Sequence, residues 1–243
     1  MRAAYDYDEI ADWYDAQVRD SLLPFHTVAI TALLELVGDI HGQEVCDLAC
    51  GQGILSRELA RRGAHVRGVD LSQRLLEIAR QEESAAPLGI TYQRDDAHGL
   101  TTLPAARFDV LTCNLALMDI AELEPALAAV RRVLRAGGAF VFSITHPCLI
   151  SPGSRWTTAA EGGPGRHVRG YFAEGYSVPP FAPGVRGRVG MHHRMLATYL
   201  NTLMDVGLTL DRVAEPRGTG LAAERRPSTA EVPMFFVARC LAR

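Results

Sequence analysis

Short apolar runs alternate with amphipathic helical segments from residue 44 onward, and this alternation restricts the possible folds more than any other feature. The run Glu44–Ala49 is apolar and flanked by glycines, and Ile54–Arg62 has apolar residues at helical spacing before Gly63. Strands that alternate with helices predict a mostly parallel sheet, with helices on both faces and right-handed connections.

The same pattern continues along the chain and predicts seven strands. We predict them at Glu44–Ala49, Ala64–Asp70, Gly89–Gln93, Phe108–Cys113, Ala139–Thr145, Leu208–Val213 and Met234–Leu241. Helices are predicted at Ile54–Arg62, after the N-cap Ser72, at Glu122–Arg135 with Gly137 and Gly138 closing it, and at Met191–Val206. The almost continuously apolar run around Phe236 predicts a strand buried on both faces.

The turn after the first predicted strand contains Gly51 and Gly53, which let the backbone turn tightly and approach a ligand closely. Such a turn serves nicotinamide dinucleotides as well as other cofactors. The dinucleotide pattern has a third glycine where this chain has Ser56, and Asp47 would repel a pyrophosphate but suit a cation. The turn therefore disfavours a nicotinamide dinucleotide.

An acidic residue, Asp70, ends the second predicted strand at about the distance from the glycine turn at which a carboxylate accepts hydrogen bonds from ribose hydroxyls. The alternative is a solvated carboxylate or a helix cap. We predict that Asp70 binds a ribose.

These segments resemble the class I S-adenosylmethionine-dependent methyltransferases, in the order that the family has them. The resemblance rests on the segments Tyr7–Asp15, Asp47–Gly53, Gly68–Ser72, Asp95–Ala97, Phe108–Leu111 and Arg132–Gly138. It covers roughly residues 7–145 and, more weakly, the remainder. Gln52 stands where the family often has Thr or Ser.

The resemblance implies a Rossmann-like α/β fold, a doubly wound seven-stranded sheet whose last strand is antiparallel. It implies S-adenosylmethionine as cofactor and S-adenosylhomocysteine as product. The five cysteines are scattered and include no C-x-x-C pair, so we expect no metal. Asp47 would lie near the cofactor's amino group, Asp70 at its ribose and Asp96 at the adenine. The residues expected to bind the cofactor are Tyr14, Asp47, Ala49, Gly51, Gly53, Asp70, Leu71, Asp96, Ala97, Asn114 and Leu115.

Methyl transfer from a sulfonium depends mainly on positioning, but a hydroxyl nucleophile also needs a proton acceptor. His146 follows the fifth predicted strand and should face the ligand crevice at the carboxyl edge of the sheet. His192 and His193 begin the predicted tail helix, whose dipole would keep them neutral. These three histidines are the candidate catalytic residues, with backbone bonding or capping as the alternative for each.

The whole chain, residues 1–243, is predicted to be a single methyltransferase domain with two appended parts. Residues 1–40 are expected to cover the cofactor. Residues 147–190 are rich in proline, glycine and aromatic residues and have no clear period, so we predict a substrate lid. The lid has more arginines than acidic residues, which favours an acceptor with a carboxylate or phosphate; a solvated basic loop is the alternative.

The net charge of −3 gives no basic bias toward nucleic acid or membrane, and the position after the fourth strand, Asn114–Leu117, lacks the run typical of adenine or cytosine methyltransferases. No stretch is apolar enough to span a bilayer. We therefore expect a cytoplasmic monomer or homodimer that methylates an oxygen, nitrogen or carbon of a small molecule. Cyclase- or lyase-like use of the same cofactor, NAD(P)-dependent oxidation, a non-catalytic binding subunit and protein methylation are the alternatives.

Overall fold

The computed structural model describes residues 7–157, 162–163, 165–178 and 184–243, with the side chains of residues 21–24 left undescribed. The strands are β1 (Glu44–Leu48), β2 (His65–Asp70), β3 (Thr91–Arg94), β4 (Phe108–Asn114), β5 (Leu134–Thr145), β6 (Arg155–Trp156), β7 (Arg166–His167), β8 (Gly175–Ser177), β9 (Met191–His193), β10 (Leu208–Ala214) and β11 (Phe235–Ala242). The helices are α1 (Tyr7–Gln17), α2 (Leu23–Val37), α3 (Ile54–Arg61), α4 (Gln73–Ala85), α5 (Leu123–Val133), α6 (Pro147–Ile150), α7 (Val185–Val189), α8 (Leu196–Asp205) and α9 (Gly220–Arg225).

Seven strands form one sheet in the order β10-β11-β5-β4-β1-β2-β3. Strands β3, β2, β1, β4 and β5 pair in parallel, and β11 runs antiparallel to both β5 and β10. The predicted fold class is therefore confirmed, including the antiparallel strand. The strand order reverses its direction between β1 and β4. In an open α/β sheet, the ligand crevice lies at such a switch point.

Two apolar cores cover the two faces of the sheet. One contains Phe140 and Phe142 of β5 with residues of α5 and α8, and the other contains Val141 with residues of α2, α3 and α4. Successive β5 side chains therefore alternate between the faces, as the pleat requires. The near-continuous burial of β11 confirms the prediction for the run around Phe236.

The helix predicted to continue to Arg135 ends at Val133, and β5 begins at once with Leu134. The glycine pair lies inside β5, where the pairing with β4 shifts between Phe108 and Val110. A Cβ on Gly138 would lie within 3.0–3.2 Å of three backbone carbonyl oxygens. The glycines therefore accommodate a bulge, and do not close the helix as predicted.

The predicted helix Met191–Val206 is also wrong at its start. Met191–His193 is the short strand β9, which pairs antiparallel with β8, and α8 begins at Leu196. The backbone N–H of His192 donates to the Met118 carbonyl at 2.8 Å. Tertiary pairing with the loop after β4 thus overrides the helical period, so the two histidines lie on a strand and not at a helix N-terminus.

Polar contacts hold α1 against the N-terminus of α4. The Asp8 carboxylate accepts from the Ser72 hydroxyl at 2.5 Å and from the Arg74 backbone N–H at 2.9 Å. Ser72 also accepts from the Leu75 N–H, so it is the predicted N-cap. A carboxylate at a helix N-terminus is favoured by the helix dipole, and this contact sets the position of α1.

Among the described residues, no single helix has the length and apolar composition to cross a bilayer. Only Tyr7–Asp20 and Phe25–Val37 taken together, a pair bent by 82°, meet that criterion.

We predict that Phe142→Ala lowers the free energy of unfolding by about 3–5 kcal/mol, because it leaves a cavity where the ring is fully buried and stacked on Phe140. Urea unfolding followed by circular dichroism measures the loss. The matched control is Phe172→Ala, since the Phe172 side chain is 84% exposed. Its expected effect is under about 1 kcal/mol, and equal losses in the two variants would contradict the assignment of the core.

Candidate active site

The Asp70 carboxylate joins the ends of the neighbouring strands β1 and β2. One carboxylate oxygen accepts from the Gly51 backbone N–H at 2.7 Å, and the other accepts from the Ser72 N–H at 2.8 Å. The glycine turn and the acidic strand end therefore share one cleft at the carboxyl edge of the sheet. Burial raises the pKa of Asp70, against the lowering effect of these backbone donors.

A cavity of about 50 Å³ opens beside this turn. Six of the residues predicted to bind the cofactor line it: Tyr14, Asp47, Ala49, Gly51, Asn114 and Leu115. The N-terminal helices contribute the wall opposite the sheet, through Tyr14 of α1 and His26 of α2. Burial, and then the nearby Asp119, raise the pKa of Tyr14 to about 12, so its hydroxyl keeps its proton at neutral pH.

Two of the four described non-glycine residues with a positive φ line this cavity. Ala49 and Leu115 have φ angles of 53° and 55°, in the left-handed region that disfavours side chains. Each follows the end of a central strand, β1 or β4. The Leu115 N–H is held by the carbonyl and hydroxyl oxygens of Ser143, each at 3.0 Å, and the same hydroxyl donates to Asn114. Such conformations persist where the surroundings enforce them, often at functional sites.

Asp47 lies at the bottom of the cavity with 1% of its surface exposed. It accepts hydrogen bonds from the hydroxyls of Ser56 at 2.6 Å and Thr112 at 2.8 Å. Burial raises the pKa of Asp47 to about 6, although the two hydroxyls oppose that rise. Ser56, the residue in place of the third glycine, thus supports the acidic side chain.

Other predicted cofactor residues lie outside the cavity lining. Gly53 is required by packing, because a Cβ there would lie 2.4 Å from the Tyr92 hydroxyl oxygen. Leu71 is 51% exposed beside Asp70. Asp96 follows β3 and bonds the Nδ1 of His98 at 2.7 Å, with partly buried Ala97 next to it. All lie after the carboxyl ends of β1, β2 or β3, along the same edge of the sheet.

The three histidines predicted to be catalytic are absent from the cavity lining. His146 uses Nδ1 to accept from the Cys148 N–H and Nε2 to contact Glu215 at 3.0 Å. His193 is fully buried, with Nε2 at 2.8 Å from the Tyr171 carbonyl and no hydrogen-bond partner at Nδ1. Burial lowers the pKa of His192, whose ring lies 5.3 Å from that of Tyr176. Their catalytic roles stay predictions.

Known proteins share this arrangement. Residues 46–142 match the sequence profile of a methyltransferase domain. An S-adenosylmethionine-dependent methyltransferase from Mesorhizobium loti is 32% identical, with a TM-score of 0.76 over 88% of this chain and 97% of that one. The chain belongs to the class I S-adenosylmethionine-dependent methyltransferases. A putative methyltransferase from Listeria monocytogenes is 28% identical, with a TM-score of 0.73 over 89% of this chain and 98% of that one.

Curated relatives of this methyltransferase match it over a shorter length. The ubiquinone biosynthesis O-methyltransferase of Hahella chejuensis is 33% identical over 133 residues, which are 54% of this chain and 55% of that protein. The match thus spans about half the length of this relative, in contrast to the near-complete match to the Mesorhizobium loti structure.

The residues at the turn fit S-adenosylmethionine, the cofactor of the family. Gly51 has a φ of 55°, and a Cβ there would meet nothing within 4 Å, so the backbone is open to a ligand. The Gln52 side chain lines the cavity, and its amide nitrogen is buried without a hydrogen-bond partner. An unsatisfied buried donor suits an anionic group such as the cofactor's carboxylate, and Asp70 suits a ribose diol.

Sequence reasoning did not indicate three polar residues that lie in or next to this methyltransferase site. His26 and Gln52 line the cavity, but each lies in a segment whose pattern indicates only a helix or a turn. Asp119 accepts from the Tyr7 hydroxyl at 3.3 Å and forms an ion pair with Arg186. These contacts join the N-terminal region to α7 of the predicted lid, residues 147–190, which we call the insertion. Asp119 and Arg186 are 67 residues apart in the chain, so no local sequence pattern predicts their ion pair.

We predict that Asp47→Asn removes a pH dependence of stability. The folded-state pKa of about 6 lies above the ordinary aspartate pKa of 3.8, which the unfolded chain has. The contribution to stability is therefore complete below about pH 4 and is lost as the pH rises through about 6. Between those limits, the unfolding free energy of the wild type should fall by about 2–3 kcal/mol relative to Asp47→Asn.

Urea unfolding at a series of pH values measures this difference. Asp205→Asn, at an exposed position on α8, is the matched control and should run parallel to the wild type. If the unfolding free energies of the wild type and Asp47→Asn changed equally with pH, Asp47 would have an ordinary pKa.

Proposed function

We propose that this protein transfers the methyl group of S-adenosylmethionine to an oxygen nucleophile of a small-molecule acceptor. The observation that carries the proposal is the shared cleft in which the Asp70 carboxylate holds the Gly51 N–H at 2.7 Å. The cofactor supplies an electrophilic methyl group on a sulfonium. The chain supplies binding, orientation, exclusion of water and an acceptor for the nucleophile's proton.

The roles of the cofactor-binding residues follow from their chemistry. Asp70 has a free lone pair on each oxygen for a ribose hydroxyl, beyond its bonds to backbone. Asp47 offers negative charge to an ammonium group, and Gln52 offers its unsatisfied amide to a carboxylate. A cavity of 50 Å³ holds only about one or two waters, so we infer that Tyr14 and α1 move outward to admit the cofactor.

An oxygen nucleophile is favoured over nitrogen or carbon by the curated relatives, whose names describe O-methyltransferases of ubiquinone biosynthesis. We propose a hydroxylated small molecule as acceptor for this chain. Protein and nucleic-acid acceptors have no supporting feature among the described residues, and cytoplasmic location stays part of the proposal.

His26 is the residue best suited to accept the nucleophile's proton. Its ring lines the cavity that also contains Gly51 and Asn114. Burial, and then the positive charge of Arg186, lower the pKa of His26 to about 4. The imidazole is therefore neutral at pH 7, and a ring nitrogen can accept a hydrogen bond from a bound hydroxyl. With this low pKa it is a weak base, so it takes the proton only as the oxygen gains the methyl group and becomes strongly acidic.

We predict that Asp70→Asn weakens the binding of S-adenosylhomocysteine by about 1–3 kcal/mol, because charged hydrogen bonds to the ribose are lost. Isothermal titration calorimetry measures the dissociation constant, and Asp205→Asn is the matched control. NAD is titrated in parallel. Binding of NAD alone, or wild-type affinity in Asp70→Asn, would overturn the cofactor assignment.

We predict that His26→Asn lowers kcat for a hydroxyl acceptor about 100-fold, as expected for loss of a general base, and leaves the dissociation constant of S-adenosylhomocysteine unchanged. Production of S-adenosylhomocysteine from a panel of phenols, catechols and amines reports turnover. His146→Asn, His192→Asn and His193→Asn test the other candidates, and His65→Asn, at an exposed position of β2, is the control. Methylation of amines alone would contradict an oxygen acceptor.

A further inference from the structure

Two arginines converge on a single tryptophan of the insertion. The guanidinium carbon of Arg166 lies 4.9 Å from the centre of the Trp156 ring system, and that of Arg226 lies 5.2 Å from it. Arg166 is opposite Trp156 in the β6–β7 pair, whereas Arg226 follows α9, 60 residues later in the chain. Arg226 also lies 5.3 Å from the ring of Phe25 in α2. Three separate parts of the fold thus assemble this cluster.

No counter-charge balances the two guanidinium groups within the part of the chain that the structure describes. Neither arginine forms an ion pair with a described carboxylate. Several other arginines do, with nitrogen–oxygen distances of at most 3.3 Å. Burial lowers the pKa of both, and the charge of Arg226 adds to the lowering at Arg166. Two like charges held together at partly buried positions are unfavourable unless an anion joins them.

Arg166 also has an unused donor. Its Nη2 donates to the Leu149 carbonyl of α6, which fixes the guanidinium plane. Its Nε is buried and has no hydrogen-bond partner. Guanidinium groups bind carboxylates and phosphates through paired N–H donors, and an unsatisfied buried N–H costs free energy that an oxyanion would recover.

Two elements connect the cluster to the proposed acceptor site. Phe25, which contacts Arg226, precedes the cavity-lining His26 in α2. Leu149, which accepts from Arg166, lies in α6, four residues beyond Thr145 at the end of β5. An acceptor whose anionic group bound here would extend along α2 toward His26.

We propose that Arg166, Arg226 and Trp156 form an oxyanion-binding site that holds a carboxylate or phosphate group of the acceptor. The proposal that an oxyanion binds here is argued from the cluster alone. Only the proposal that this oxyanion belongs to the acceptor rests on the proposed function. The aromatic ring beside both guanidinium groups further favours an acceptor with a planar apolar part next to the charge.

Trp156 provides a direct readout of this site. The chain has two tryptophans, so Trp13→Phe leaves Trp156 as the sole tryptophan, which can be excited selectively at wavelengths where tyrosine does not absorb. Fluorescence is titrated with sodium phosphate and with benzoate at constant ionic strength, and neutral benzamide is the uncharged counterpart of benzoate. We expect a saturable change with at least one of the two anions and none with benzamide. Which anion binds more tightly distinguishes phosphate from carboxylate recognition.

In the Trp13→Phe background, Arg226→Gln and Arg166→Gln should each raise the dissociation constant of the anion at least about tenfold, because one charged hydrogen-bonding group is lost. Arg212→Gln removes a charge from an exposed position on β10 and should leave the affinity unchanged. Thermal unfolding verifies that each variant is folded, and Arg226→Lys, which keeps the charge but loses the planar fork, serves if Arg226→Gln unfolds. Non-saturable titration, or equal affinities across the variants, would overturn the site.

Calorimetry with S-adenosylhomocysteine on the same variants separates the two proposals. Anion binding without binding of S-adenosylhomocysteine would refute methyl transfer and leave the oxyanion site intact. Binding of S-adenosylhomocysteine without an anion response would refute the oxyanion site alone. Once methylated acceptors have been identified, Arg226→Gln should raise KM about tenfold for phenols that carry a carboxylate or phosphate group. It should leave KM unchanged for phenols without such a group.

Discussion

The hydrogen bonds that the Asp70 carboxylate accepts from Gly51 and Ser72 connect the glycine turn, the end of β2 and the first helix. They fix the glycine turn after β1 against the end of β2, and through Ser72 they reach Asp8 of α1. The same side chain therefore orders the cofactor cleft and helps to position the helix that carries Tyr14. A carboxylate without these backbone donors would be costly at this degree of burial.

Sequence patterns predicted the sheet because each strand combines apolar composition with a local boundary. The cofactor edge was predictable for the same reason, since Asp47, Gly51 and Asp70 lie within or beside those strands. Helix ends were predicted less well. The helix before β5 stopped at Val133 and β9 replaced the start of a helix, because pairing with β4 and β8 outweighed local helical periodicity.

Residues brought in from a distance were the ones that local patterns could not indicate. His26 lines the cavity only because α2 packs across the sheet, and Asp119 meets Arg186 across 67 residues. For His146, the strand pattern predicted the position but not the hydrogen-bond partners. Its position after β5 predicted a residue at the crevice, but both ring nitrogens have partners in Cys148 and Glu215, which no strand pattern reveals.

The position of β11 in the sheet has a consequence for how the molecule assembles. β10 precedes β11 in the chain, yet it joins the sheet through β11, which lies between β10 and β5. During translation, β10 leaves the ribosome before the strand that will hold it. Until β11 inserts, β10 and the outer edge of β5 both present unpaired backbone, a state in which a growing chain is open to association with others.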